Sequence, residues 1–216
     1  MIPCLNEEAA IGPLAGLVRR YLPTVFVVDD GSSDQTADLA RHAGAQVLRH
    51  DRPRGKGAAL QTGWRHAWNQ GFAWVLTLDG DGQHSPEDIP DFFQRADLAS
   101  AALVVGNRMV TAQRIPWLRR QVNRWMSRRL SRVAGRSLPD SQCGFRLMDL
   151  SAWSSLCIRT SNFEIESEVL MAFLRGGYTV DFVPIQVIYK GEQSKIHPVR
   201  DAIRWLRWWR GLSVKR

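Results

Sequence analysis

The sequence predicts an α/β fold with a mostly parallel central sheet flanked by helices, and three observations carry that expectation. Short β-rich apolar runs alternate with helix-like segments through the first half of the chain, the pattern of parallel strands joined by helical crossovers. Several of those runs end in polar or acidic clusters, and open α/β sheets bind ligands beyond the carboxyl ends of their strands. The 216 residues are 44% hydrophobic, enough for one domain, residues 1–216, with a substantial core.

Taken in order, the run at 25–28 ends in Asp29-Asp30-Gly31-Ser32-Ser33-Asp34. Carboxylates there can accept hydrogen bonds from ribose hydroxyls or base amines, and Ser33 or Asp34 can cap the next helix. Capping is the expectation for Ser33, whereas Asp30 is better placed for a ligand. A strand at 46–48 follows that helix. Next, Arg52-Pro53-Arg54-Gly55-Lys56-Gly57 stands at a helix start, where glycines expose N–H groups and the helix terminus favours anions. It lacks the P-loop spacing and reads equally as a tight turn with a solvated lysine.

The run at 74–78 delivers Asp79-Gly80-Asp81-Gly82-Gln83. Side chains at i and i+2 of an extended segment point the same way, so Asp79 and Asp81 can face one ion together. Two carboxylates suit Mg²⁺ or Mn²⁺ and leave positions open for water and phosphate. Alone, the same Asp-Gly pairs are ordinary turn chemistry. The run at 103–105 then ends at Gly106-Asn107-Arg108.

After residue 108 the composition shifts toward arginine and tryptophan. A helix is expected over 116–134, with Leu118, Val122, Trp125, Met126, Leu130 and Val133 on one face. Arg119, Arg120, Arg124, Arg128, Arg129 and Arg132 occupy its other positions without an acidic residue, a combination suited to anionic lipid headgroups. The apolar stripe must also help close the domain. Residues 163–168 open another helix whose Glu164, Glu166 and Glu168 complement its N-terminal dipole. The stretch 199–210 repeats the basic-aromatic theme. Trp205 and Trp209 can pack back onto the domain, while helical projection leaves Trp208 on the polar side for lipid or protein.

Charge and cysteines narrow the classes. A formal charge of +8 and a pI near 10.1 call for a polyanionic partner, whether nucleic acid, nucleotide sugar or anionic membrane. Cys4, Cys143 and Cys157 lack the spacing of a zinc site or disulfide framework, so a reducing, cytoplasmic setting is the default. No run of eighteen apolar residues and no signal-peptide pattern occur, so neither a membrane span nor a leader is expected. His84 and His197 read as hydrogen-bonding partners rather than ligands.

In order, the chain holds Ile2-Pro3-Cys4-Leu5-Asn6-Glu7-Glu8, Val27-Val28-Asp29-Asp30-Gly31-Ser32, Asp79-Gly80-Asp81-Gly82-Gln83-His84, Gly106-Asn107-Arg108 and Cys143-Gly144-Phe145-Arg146. Together these resemble glycosyltransferase family 2, most closely its dolichyl-phosphate or polyprenyl-phosphate mannose synthase type. The resemblance implies a GT-A, Rossmann-like fold with residues 1–108 as a nucleotide-sugar donor half and 109–216 as an acceptor and membrane-facing half. It implies that Pro3, Leu5, Glu7, Val28, Asp30, Asp79 and Gly80 line the donor nucleotide site. Asp79, Asp81 and Gln83 would hold the metal, and Asp81, Arg108 and Lys195 would act in catalysis. Arg108, Arg146, Ser194 and Lys195 would meet the acceptor phosphate.

Leu5 departs from the tyrosine many such synthases carry, so base preference does not transfer. The basic residue expected before Lys195 falls at Tyr189 or Lys190. Glu164 or Glu166 would face the acceptor cleft. Asp140 reads either as a base, as in relatives with hydroxyl acceptors, or as a residue that orients Arg146. The family's first strand runs several residues ahead of the Pro3 motif, so an upstream-extended form is expected to be more stable.

The resulting expectation is an inverting, metal-dependent transfer of a hexose from a GDP-mannose or UDP-glucose type donor to polyprenyl or dolichyl phosphate. It places the protein peripherally on the inner, cytoplasmic membrane face, with a membrane-protein partner also open and no nucleic acid expected. A saccharide or other hydroxyl acceptor is the alternative. A basic nucleic-acid-binding module is the contrasting class, opposed by the acidic cluster and the lack of aromatic RNA-binding motifs.

Overall fold

A computed structural model describes residues 1–110, 117–188 and 198–214. Seven strands form: β1 (Ile2–Cys4), β2 (Phe26–Asp29), β3 (Gln46–Arg49), β4 (Trp74–Thr77), β5 (Leu103–Asn107), β6 (Arg146–Asp149) and β7 (Val180–Pro184). Most carry consecutive β-branched or aromatic residues, which suit strands covered on both faces. β1, β2 and β3 pair in parallel. β6 lies antiparallel between β4 and β5, and β7 pairs in parallel with β5.

Main-chain bonds join the two groups of strands. The Met1 amine donates to the Leu76 carbonyl at 2.7 Å, and the Leu78 N–H donates to the Met1 carbonyl at 3.1 Å. β1 therefore lies beside β4, and the ends of β1, β2 and β4 come together. The sheet is α/β and mostly parallel, as expected. β6 is the antiparallel exception.

The helices are α1 (Glu8–Val18), α2 (Thr36–His42), α3 (Lys56–Asn69), α4 (Ile89–Ala99), α5 (Trp117–Ala134), α6 (Leu150–Ser154), α7 (Ile165–Arg175) and α8 (Pro198–Val214). α3 packs on β1 and β2, α4 on β5 and β7, and α7 on both β7 and α5. One hydrophobic cluster runs from Met1 and Ile2 through Leu147 and Phe173 to Trp205. It gives the strand ends a rigid base.

The basic helix α5 divides its apolar stripe between the core and the outside. Its buried residues are Asn123, Ser127 and Leu130, whereas Leu118 is 68% exposed and Val122 and Trp125 are also exposed. The reason is local: the Ser127 hydroxyl accepts the Ser141 N–H at 3.0 Å, and the Ser131 hydroxyl accepts the Leu138 N–H at 2.9 Å. Small polar side chains thus serve the turn at 138–141; Met126, Leu130 and Val133 pack on the core, while Leu118, Val122 and Trp125 face outward.

In α8, Trp205 is buried and donates its indole N–H to the Ser167 hydroxyl at 2.8 Å. Trp125 and Trp209 lie against it, with ring centroids 5.5 and 6.3 Å away. Trp208 is partly buried against the core, which corrects the expectation that it is the outward-facing tryptophan. Residues three apart on a helix share a face, and Trp208 therefore follows Trp205 inward. Ile203 and Leu206 are the large apolar residues that α8 exposes.

Phe145 is fully buried, with Phe92 stacked 4.2 Å away and His84 5.3 Å away. Phe145→Ala is expected to destabilise the protein by about 3–5 kcal/mol. Urea unfolding checks this, and a loss under about 1 kcal/mol would show that Phe145 does not anchor this layer.

Candidate active site

The crevice begins where β1 and β2 end. Asn6 adopts a positive φ of 53°, a conformation that asparagine tolerates better than most residues. Its carboxamide oxygen accepts the Ser33 N–H at 2.9 Å, and its own N–H donates to the Ser32 hydroxyl at 2.8 Å. The Glu7 N–H donates to the Thr36 hydroxyl at 2.7 Å. The turn carrying Leu5 and Glu7 is thereby fixed against the turn that carries the acidic cluster. Pro3 and Val28 are paired strand residues and both are buried, so their side chains form the floor of this corner rather than an exposed wall.

Two assignments in this corner change. Asp34, not Ser33, caps α2 by accepting the Thr36 N–H at 3.0 Å; Ser33 instead donates to Asn6. Asp30 does structural work: its carboxylate accepts the Arg54 and Gly55 N–H groups at 2.9 and 2.8 Å and meets His50 Nδ1 at 2.7 Å. His50 reaches on to the Thr62 hydroxyl at 3.0 Å. No local pattern marks that histidine's part, because it depends on β2, β3 and α3 meeting.

Asp30 holds the 54–57 loop, and glycines let that loop approach a second segment. Gly55 has φ 102°, and a Cβ at Gly57 would lie 2.7 Å from the Ser161 carbonyl carbon. Across the same seam, the Ala58 N–H donates to the Ser161 carbonyl at 3.1 Å and Gln61 donates to the Thr160 carbonyl at 2.8 Å. Lys56 is consequently not a solvated lysine. Its ammonium lies 2.6 Å from Asp79 Oδ1 and 2.6 Å from Glu166 Oε1. The ring of Phe163 is 5.6 Å away.

This arrangement sets the charges. Burial works against the Lys56 ammonium, yet the carboxylates of Asp79 and Glu166 raise its pKa above the ordinary lysine range. Burial would likewise raise Asp79, but Lys56 beside it holds its pKa down to about 2. Asp81 goes the other way, pushed up by burial and then by the charge of Asp79. Glu166 is 5% exposed, and its Oε2 has no hydrogen-bond partner among the described residues. Opposite, a Cβ on Gly144 would stand 2.7 Å from Asp79 Cγ, so only glycine leaves the carboxylate its place.

Arg108 reaches the same crevice from the end of β5. Its guanidinium makes two bonds to Asp140, Nε to Oδ2 at 2.7 Å and Nη2 to Oδ1 at 2.9 Å. Asp140 therefore holds Arg108 and does not orient Arg146. Arg146 points into the protein, where it donates to the carbonyls of Cys143, Glu166 and Ser141 at 2.7, 2.6 and 3.1 Å. Buried and occupied in this way, Arg146 is corrected from an acceptor-phosphate contact to a brace under Gly144 and Glu166.

The Gln83 N–H donates to Asp81 Oδ1 at 3.1 Å. His84 is buried, which lowers its pKa, and its Nδ1 lies 3.5 Å from the Asp79 N–H. Ser194 and Lys195 lie outside the described residues, as do Tyr189, Lys190 and His197. Among the described residues, no three His, Cys, Asp or Glu side chains converge as a protein-only metal cage. The Asp79 and Asp81 oxygens nevertheless fit a hard divalent ion that takes its other ligands from phosphate and water. The space kept by Gly144 serves the first of them.

Comparison with known proteins gives a consistent picture. Residues 1–156 match the sequence profile of glycosyl transferase family 2. A UDP-N-acetylglucosamine–dolichyl-phosphate N-acetylglucosaminyltransferase of Methanococcus voltae is 27% identical, over 88% of this chain and 84% of that protein. The polyprenol monophosphomannose synthase of Mycolicibacterium smegmatis is 27% identical, over 86% of this chain and 75% of its own. In fold, the chain is similar to glucosyl-3-phosphoglycerate synthase of Mycobacterium tuberculosis, solved with Mn²⁺, UDP-glucose and phosphoglyceric acid. The TM-score is 0.74 at 21% identity, covering 97% of this chain and 78% of that one.

Glu164, at the start of α7, yields a pH-dependent expectation. Burial raises its pKa above the usual 4.5 despite the nearby Arg204 charge. A carboxyl whose folded pKa is raised favours the fold below its unfolded pKa and loses that contribution as pH rises through the folded value. Glu164→Gln is therefore expected to raise the urea midpoint at pH 7 but not at pH 4. Equal gains at both pH values would remove ionisation as the cause.

Proposed function

The chain belongs to glycosyltransferase family 2, and from that membership we propose that it transfers a hexose from a GDP-mannose or UDP-glucose type donor to polyprenyl or dolichyl phosphate, with inversion. One observation carries the reading: the 140–144 segment holds Arg108 through Asp140 and packs Gly144 against Asp79, which brings the Asp79–Asp81 pair and the Arg108 guanidinium to one side of the fold. Acidic groups for a cation-bound diphosphate thus stand near a fixed cation for a second phosphate. The relatives whose names include dolichyl phosphate or polyprenol support that class of acceptor.

A phosphate monoester with a second pKa of about 6 is largely ionised at neutral pH and needs no strong base. Asp140, committed to Arg108 by two hydrogen bonds, is placed to orient that arginine rather than to take a proton. An oxygen of the lipid phosphate forms the new bond to the anomeric carbon as the bond to the nucleoside diphosphate breaks, and the electron pair leaves with the diphosphate. Arg108 would hold the incoming phosphate against its repulsion from the donor, with Ser194 and Lys195 assigned to the same phosphate. Asp79 and Asp81, with Gln83, would hold Mg²⁺ or Mn²⁺, which when bound offsets the charge of the leaving group. Leu5, Glu7 and Asp30 would border the nucleotide, with Asp30 acting through the loop it anchors.

The division of work follows the chain, with residues 1–108 serving the donor and 109–216 the acceptor. Trp117, Leu118, Val122, Trp125, Ile203 and Leu206 are exposed beside the arginines of α5 and α8. That surface suits contact with anionic lipid on the cytoplasmic membrane face. No helix among the described residues is long and apolar enough to cross a membrane.

Donors carrying radiolabelled sugar, offered with and without polyprenyl phosphate, test the proposal. Label is expected in the organic phase in an acid-labile form, and transfer only to soluble glycans would overturn the lipid acceptor. Asp81→Ala is expected to cut metal-dependent turnover by about 100-fold or more while leaving the melting temperature near wild type. Retained turnover at saturating Mn²⁺ would contradict the role of Asp81.

A further inference from the structure

We infer that Lys56 is an internal cation that keeps the place beside Asp79 until a nucleoside diphosphate arrives, so that divalent ion and nucleotide load together. The inference rests on the donor site proposed above. Its geometry is independent of that proposal: one ammonium stands 2.6 Å from an oxygen of Asp79 and 2.6 Å from an oxygen of Glu166.

Lys56 does not reach Asp79 by chance rotation of a loose side chain. Asp30 fixes the two N–H groups ahead of it, at Arg54 and Gly55. On the other side, Ala58 and Gln61 bind the carbonyls of Ser161 and Thr160. The backbone at Lys56 is therefore held between two segments, and the remaining freedom lies in its flexible four-carbon stem.

Charge then decides the order of loading. Asp79, Asp81 and Glu166 carry three negative charges against those of Lys56 and the buried Arg146, while Arg108 and Asp140 offset each other. A divalent ion approaching this set meets the lysine ammonium at the first carboxylate, and like charges at such separations repel strongly where water is scarce. It must compete for Asp79. A nucleoside diphosphate changes the balance in two ways, adding oxygens for the divalent ion and offering the ammonium a new anionic partner. Glu166 is suited to keep hold of the ammonium as it shifts, since its second oxygen is buried without a hydrogen-bond partner among the described residues. By linkage, nucleotide and ion must then strengthen each other's binding by the same factor.

Mn²⁺ binding, read from the electron paramagnetic resonance signal of the free ion, tests this with and without UDP or GDP. Wild type is expected to bind Mn²⁺ weakly alone and about tenfold more tightly with a nucleoside diphosphate. Lys56→Met should bind Mn²⁺ alone about tenfold more tightly than wild type, with the coupling to nucleotide largely lost. The double variant Lys56→Met with Glu166→Gln removes one charge of each sign, so its net charge equals wild type. It should still bind Mn²⁺ alone more tightly, and it carries the test should the single variant fail to fold. If neither variant binds Mn²⁺ alone more tightly, or only the single variant does, occupancy of Asp79 by Lys56 is not the cause and the inference falls. Failure of wild type to bind either nucleotide with Mn²⁺ would instead overturn the donor reading itself.

Discussion

Two carboxylates sharing one ammonium, Glu166 buried and Asp79 partly so, set the terms for the rest of this structure. Asp79 comes from the end of a strand in the first half of the chain, and Glu166 from the first turn of α7 in the second. Neither could remain ionised with little solvent around it unless a cation were supplied, since an unpaired buried charge costs several kcal/mol. Lys56 supplies it and joins the two halves in doing so. The glycines around it follow from that demand: Gly55 and Gly57 let the lysine loop approach residues 160–162, and Gly144 leaves the Asp79 carboxylate its place. Asp30 and Arg146 belong to the same device, one holding the lysine loop by its N–H groups and the other holding the Glu166 carbonyl.

Local sequence order made part of this legible. The β-rich runs at 25–28, 46–48, 74–78 and 103–105 lie within a residue or two of the observed strands β2 to β5, because buried parallel strands announce themselves as short continuous apolar stretches. The Asp79-Gly80-Asp81 cluster and Arg108 were legible for the same reason, as polar residues at strand ends. β6 was not, since Arg146 to Asp149 is a short run that reads as part of a motif and whose antiparallel pairing depends on β4 and β5. The Lys56–Glu166 contact had no sequence signal at all. It joins residues from distant parts of the chain, and each looked locally like something else: a loop lysine and a glutamate complementing a helix dipole.

The structural roles of Asp30 and Arg146 share a cause: they follow from which backbone groups need partners after folding. A buried N–H or carbonyl must be satisfied, and the nearest capable side chain is recruited whatever its catalytic promise. Asp30 satisfies two N–H groups of the lysine loop, and Arg146 satisfies three carbonyls around the 141–143 turn and α7. α5 follows the same rule, because the serines that serve the 138–141 turn must face inward and thereby turn Leu118, Val122 and Trp125 outward.

The choice of cation at each position is consistent with these demands. Arg108 stands where a planar group must be held in one orientation, and its two parallel bonds to Asp140 use the fork that a lysine lacks. With that pair made, the guanidinium's position is already fixed, so little conformational freedom is left to lose on binding. Lys56 stands where the opposite property is useful. A compact charge on a flexible stem can serve Asp79 and Glu166 at once and can change partners without dismantling the loop that carries it. Exchanging the two residue types would leave the net charge of the crevice unaltered and still disturb both positions, because one requires a fixed orientation and the other requires a cation that can move.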